Sequence, residues 1–144
     1  MDEQYSLERF VEAQAPVYAT ALAEIQCGAK RSHWMWFIFP QLVGLGRSET
    51  ARFYGIASLG EARAYLNHAL LGPRYIECVE ALHDLALSDP VAVFGATDAI
   101  KLRSSLTLFE AAQPHPRFAA AIERRFAAER DSATLSLLSA FAIA

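Results

Sequence analysis

The chain has 144 residues, 53% hydrophobic and 20% charged, with 13 lysines and arginines against 16 aspartates and glutamates. That length suits a single domain with one core, residues 1–144, and so apolar a composition excludes a disordered chain. A formal net charge of -3 argues against a nucleic-acid partner, which needs a concentrated positive excess, but leaves room for a local basic site for a small anion.

Cys27 and Cys78 are the two cysteines. Neither has a Cys or His at metal-ligand spacing, so they read as reduced thiols of a cytoplasmic protein. His68, His83 and His115 share no ligand spacing either, so no metal site is expected, and no cofactor is implied. The start, Met1-Asp2-Glu3-Gln4, is acidic and polar, unlike a signal or transit peptide. The most apolar run, Trp34 to Pro40, is too short to span a bilayer, so no membrane partner is expected.

Glycine and proline cut the chain into short segments. Ser6 can cap a first helix carrying Leu7, Phe10 and Val11. Pro16 belongs in the first turn of a second helix, which Gly28 stops. After Ser32 comes His33-Trp34-Met35-Trp36-Phe37-Ile38-Phe39-Pro40. A central strand can look the same, but no comparable second strand exists to pair with it, so a short buried helix is favoured. Gly44-Leu45-Gly46 is a loop, and Ser48 opens a helix to about Ile56. Ser58 and Glu61 have capping-box spacing, and the helix they start ends near Gly72. Pro73 sits in the first turn of the next helix. Asp89-Pro90 caps another. Thr97 can cap a helix from Asp98 to about Ala112, Pro116 starts one through Phe126, and Asp131 or Ser132 caps the last, Leu135 to Phe141. The fold class is therefore all-α: a single compact multi-helix domain of about eight or nine short helices.

Three blocks stand out. The first is Arg31-Ser32-His33-Trp34-Met35-Trp36-Phe37-Ile38-Phe39-Pro40-Gln41 with Gly44-Leu45-Gly46-Arg47-Ser48. The second is Phe94-Gly95, Asp98 and Lys101-Leu102-Arg103-Ser104-Ser105-Leu106-Thr107-Leu108-Phe109. The third is Asp131 with Thr134-Leu135. Together with Ala62, Tyr65, Leu66, His68, Leu71 and Gly72, they make nearly the whole chain resemble the domain-of-unknown-function 1810 family. One departure is local: the family often has proline where Ala69 follows His68. The resemblance implies a mainly helical single domain and no established reaction. Some relatives carry the label calpastatin, a disordered polar inhibitor that this composition cannot form.

The same blocks hold the candidate site residues, each with a structural alternative. His33, Trp34 and Trp36 suit a pocket with rings for a planar ligand and a histidine acid or base, or else an aromatic core run. Gly44, Gly46, Arg47 and Ser48 suit an anion-binding turn at a helix start, without P-loop spacing, or else a plain capped turn. Asp98, Lys101 and Ser105 share a helix face with Ser104 close by, which suits an anion site or else an Asp98–Lys101 surface pair. Gln41 can orient a ligand or tie down its loop. Asp131 and Thr134 read mainly as a helix cap, and Arg124, Arg125 and Arg130 as a solvated face.

If these blocks converge, they make a site for an anionic, nucleotide-like small molecule. An enzymatic version uses His33 as acid or base, with Lys101 and Arg47 holding anionic oxygens. The alternative is a protein–protein interaction module with Trp34, Trp36 or Phe39 as exposed anchors. The sequence fixes neither a reaction nor an oligomeric state.

Overall fold

Helices form wherever the breakers leave room for them. In the computed structural model, which describes residues 5–86 and 89–143, ten follow one another. They are α1 (Glu8–Gln14), α2 (Tyr18–Cys27), α3 (Met35–Ile38), α4 (Glu49–Phe53), α5 (Leu59–Asn67), α6 (Leu71–His83), α7 (Pro90–Phe94), α8 (Ala96–Ala112), α9 (Pro116–Phe126) and α10 (Ser132–Ile143). No strand occurs among the described residues; one isolated bridge joins Leu42 and Ile56. The described residues contain no helix long and apolar enough to cross a membrane. The acidic start at Met1–Gln4 lies outside them.

Several caps follow the residue chemistry. Gly28 ends α2 in the left-handed region, at φ 72°, where a Cβ would be penalised. Ser48 accepts from the Ala51 amide at 3.1 Å and Asp89 from the Val91 amide at 2.9 Å. Ser58 accepts from the Glu61 amide at 3.1 Å, but Glu61 does not return the bond to Ser58. It accepts instead from the Ala57 amide at 2.7 Å and from Arg9 at 2.8 Å, so the expected box is half-built and the carboxylate anchors the N-terminal segment.

Other expectations shift. Ser6 lies outside α1 with φ 54°, and Leu7 takes the cap position without a side-chain bond. Gly95, not Thr97, launches α8. Gly72 does not stop α5 but lies in the first turn of α6, where a Cβ would stand 1.9 Å from the Leu66 carbonyl oxygen. The glycine lets α6 start against the end of α5.

α8 is the centre of the domain, packed by α5, α7, α9 and α10. It buries Leu102 and every residue from Ser104 to Phe109, as a helix surrounded on most sides must. α6 packs against α2, α5 and α9. Between these helices lies an aromatic core. Tyr75 meets Phe109 at 4.4 Å between centroids, Phe118 at 5.5 Å and Phe39 at 5.6 Å, in the tilted and edge-on arrangements that ring quadrupoles favour. Polar groups buried among these rings bond to one another and to the backbone. The Tyr75 and Ser105 hydroxyls bond at 2.9 Å, and Gln14 Nε2 donates to the Phe37 carbonyl at 2.7 Å and to the Tyr65 hydroxyl at 2.9 Å. Losing one such ring, as in Phe109→Ala, typically costs about 3–5 kcal/mol.

Candidate functional site

The segment entering α3 is pinned by one carboxylate. Glu24 accepts from the Arg31 amide at 2.8 Å, the Ser32 amide at 3.0 Å, the Ser32 hydroxyl at 2.6 Å and Trp34 Nε1 at 2.9 Å. Burial works to raise its pKa, but the four donors outweigh that and hold it down, from the usual 4.5 to about 2. The result fixes Trp34 inside the core, fully buried and edge-on to Phe94. His33, one residue earlier, points outward and is exposed.

Beyond α3 the chain loops from Gln41 to Ile56. The loop is closed by bonds from the Val43 amide to the Ile56 carbonyl, 2.8 Å, and from the Ile56 amide to the Gln41 carbonyl, 2.9 Å. Inside it, Gly46 presses on α4. A Cβ on Gly46 would lie 2.5 Å from Ala51 Cβ and 3.3 Å from Gln41 Nε2, so only glycine lets the turn sit this close.

Against this loop stands the exposed edge of α8. Lys101 lies one turn from Asp98, with Nζ 3.8 Å from the carboxylate, and its ammonium sits 5.2 Å from the Trp36 ring centroid. Asp98 is held more closely by Lys30, at 2.9 Å. The Lys30 ammonium also donates to the Ser32 carbonyl at 2.6 Å and lies 4.9 Å from the Trp34 ring.

One turn beyond Lys101, Ser104 donates to Asp131 Oδ2 at 3.0 Å and to the Ile100 carbonyl at 3.1 Å. The same Oδ2 accepts from the Thr134 amide at 3.1 Å and the Thr134 hydroxyl at 2.6 Å, while the Asp131 amide donates to Thr107 Oγ1 at 2.9 Å. Asp131 thus caps α10 and ties it to α8. All its accepted bonds fall on one oxygen; Oδ1 has no hydrogen-bond partner among the described residues and is not sealed from solvent.

These parts enclose a groove of about 330 Å³ lined by Gln41, Gly46, Ile100, Lys101, Ser104 and Asp131. Leu45, Thr97 and Ala133 complete its walls. A tighter hollow beside it, lined by Trp36, Gln41 and Lys101 among others, shares two residues with it. Lys101 and Asp131 form no ion pair with each other: Lys101 is paired at 3.8 Å with Asp98, and Asp131 is bonded by Ser104 and Thr134.

Residues 4–138 match the family model described as "Protein of unknown function (DUF1810)". The chain belongs to the DUF1810 family. It is also similar to a solved structure, that of the conserved hypothetical protein Rv1873 from Mycobacterium tuberculosis, with 46% identity and a TM-score of 0.93. The match covers 94% of this chain and 98% of that one. No curated protein matches.

In this DUF1810 domain the blocks that stand out in the sequence do meet, though not residue for residue. Trp36, Gln41, Gly46, Lys101 and Ser104 line the groove and its neighbouring hollow, and Asp98 flanks them through Lys101. Ser105 turns to Tyr75 in the core, and Trp34 is buried. Gly44 is exposed with φ 103°, Ser48 caps α4, and Arg47 is exposed; none of these lines the groove, nor does His33. Asp131 and Thr97 are groove residues that the sequence marks mainly as helix caps.

Of the three arginines expected on a solvated face, Arg124 is exposed and Arg130 half-buried, but Arg125 is not solvated. Arg125 is buried and donates to the carbonyls of Leu82 and Leu85; Arg124 reaches those of His83 and Leu85, and Arg130 grips Glu110 at 2.8 Å. The first two satisfy the free carbonyls at the end of α6.

Proposed function

We propose that the groove between the Gln41–Gly46 loop, α8 and the start of α10 binds a small anionic, nucleotide-like molecule. The observation that carries the reading is that Lys101 and Asp131 line the same groove. Two opposite charges line one groove without contacting each other, and Trp36 lies beneath the lysine. Lys101 offers an ammonium to a phosphate, held loosely by Asp98 at 3.8 Å. The Trp36 ring offers a face to a planar group once that ammonium moves toward a ligand. A volume of about 330 Å³ falls in the range of small-molecule pockets, about 300–1,000 Å³. The reading is of binding; it assigns no reaction and gives His33 no chemical role.

The interaction-module alternative needs exposed aromatic anchors. Trp34 and Phe39 are buried and Trp36 is half-buried, which leaves that reading with isolated exposed residues such as Phe53, Val91 and Ile100.

The test is thermal unfolding of the purified protein with AMP, ADP-ribose, ribose 5-phosphate and inorganic pyrophosphate, alongside Lys101→Ala. A ligand that binds the folded state alone raises the melting temperature, by several degrees at saturation. The expected result is a rise in wild type that Lys101→Ala loses while still folding. No rise with any of the four, or a rise that Lys101→Ala retains in full, overturns the reading.

A further inference from the structure

The remaining polar feature of the groove is a carboxylate with one oxygen fully engaged and the other open. Asp131 is only 7% exposed as a residue, although its Oδ1 keeps some access to solvent, and a side chain so nearly buried ordinarily has its polar atoms hydrogen-bonded to protein, water or ligand. Its Oδ2 takes three donors from Ser104 and Thr134, which lock the rotamer. Its Oδ1 takes none among the described residues, and the residue lines the groove. A helix cap needs only one oxygen, so capping explains Oδ2 and leaves Oδ1 unexplained.

We infer that Asp131 Oδ1 accepts a hydrogen bond from a sugar hydroxyl of the bound ligand, so that the groove selects phosphorylated sugars and ribonucleotides over their deoxy counterparts. This rests on the binding reading given above. Lys101 and Ser104 are one turn apart on the same face of α8, a rise of about 4.5 Å, and Ser104 carries Asp131. Lys101 and the serine that holds Asp131 therefore stand a turn apart along one groove, a spacing that suits a phosphate at the first and a ring hydroxyl at the second. The neighbouring polar groups favour a hydroxyl over an amine. A hydroxyl both donates and accepts, so it can donate to Oδ1 and accept from the Gln41 amide that lines the same groove. An ammonium only donates.

The experiment is calorimetric titration with AMP, 2′,3′-dideoxy-AMP and O-phosphoethanolamine, on wild type, Lys101→Ala, Asp131→Asn and Asp131→Ser. Asparagine and serine are both good caps, so α10 stays capped. Asparagine puts an amide where Oδ1 was; serine leaves no second atom to reach the groove. Wild type is expected to bind AMP about tenfold or more tightly than the dideoxy nucleotide, the range for a hydrogen bond to a charged group. Asp131→Asn should narrow that ratio and Asp131→Ser erase it, while Lys101→Ala weakens both nucleotides alike. Equal binding of the two nucleotides, still dependent on Lys101, overturns the hydroxyl assignment and leaves the anion site standing. O-phosphoethanolamine bound more tightly than AMP overturns it in favour of an amine. No binding of any of the three removes both readings.

Discussion

Lys30 Nζ lies 2.9 Å from Asp98 Oδ2, in a site where the lysine side chain is 7% exposed. The aspartate is more open, at 21%, and its second contact, to Lys101, is longer. Asp98 therefore serves first as the counter-charge of a nearly buried ammonium. Removing one member of a buried pair strands the other. Asp98→Asn should lower stability by about 2–3 kcal/mol, at or below the low end for fully buried pairs because Asp98 is partly solvated. Lys30→Met together with Asp98→Asn should recover most of that loss. Urea unfolding of the two single variants and the double gives the coupling; additive losses would show that the pair is not acting as a unit.

Glu24 makes a pH-dependent contribution of definite sign. Its pKa in the fold, about 2, lies below the ordinary 4.5, so as pH falls the unfolded chain takes up the proton first. The stabilisation is whole above about pH 4.5 and drains away toward pH 2. Its size is about 1–2 kcal/mol after solvent screening is allowed for. Glu24→Gln should be less stable at pH 7 and should show a flatter stability curve across that window. The fluorescence of Trp34, whose indole donates to Glu24 at 2.9 Å, is the natural readout. An unchanged slope in the variant would place the acid sensitivity in other carboxylates.

What could be read from the sequence was mostly local. Gly28, Asp89-Pro90 and Pro116 mark helix ends and starts because their backbone preferences act over one or two residues. Gly72 misleads because its reason is a contact with the Leu66 carbonyl, not a stop. The burial of Arg125 depends on carbonyls 40 and 43 residues away at the end of α6, which no local pattern reports. The groove divides the same way. Lys101 and Ser104 share a helix face by spacing alone, whereas Asp131 joins them across 27 residues through the packing of α10 on α8. His33 and Trp34 are neighbours in sequence, yet the four bonds to Glu24 turn one residue in and leave the other out.

The two thiols should behave differently. Cys27 is exposed at the end of α2, whereas Cys78 is buried in α6. Burial pushes the Cys78 thiol up to about 12, so almost none of it is thiolate at neutral pH, and the thiolate is the reactive form. A thiol-disulfide reagent at pH 8 should modify one cysteine quickly in the native protein and the second only on unfolding. Cys27→Ser should abolish the fast phase. Two fast equivalents in the folded protein would mean that α6 opens on the timescale of the reaction.

Gly46 and Gly44 lie two residues apart and constrain the loop in different ways. At Gly46 a methyl would meet Ala51 Cβ at 2.5 Å, so the turn must lift off α4 and carry Gln41, 3.3 Å away, with it. At Gly44 a methyl has ordinary room, 3.6 Å from Leu137, and the obstacle is the backbone at φ 103°. Each alanine variant should lose about 1–3 kcal/mol, the first by overpacking and the second by strain. Only Gly46→Ala deforms a wall of the groove, so it alone should weaken AMP binding. Adding Ala51→Gly should restore that binding by vacating the space, although a glycine inside α4 itself costs about 1 kcal/mol of helix stability. The combined variant should therefore bind well while unfolding easily, because groove shape and fold stability respond to different atoms of the same loop. Binding that tracks stability across all three variants would mean that the loop contributes to the site only by keeping the domain folded.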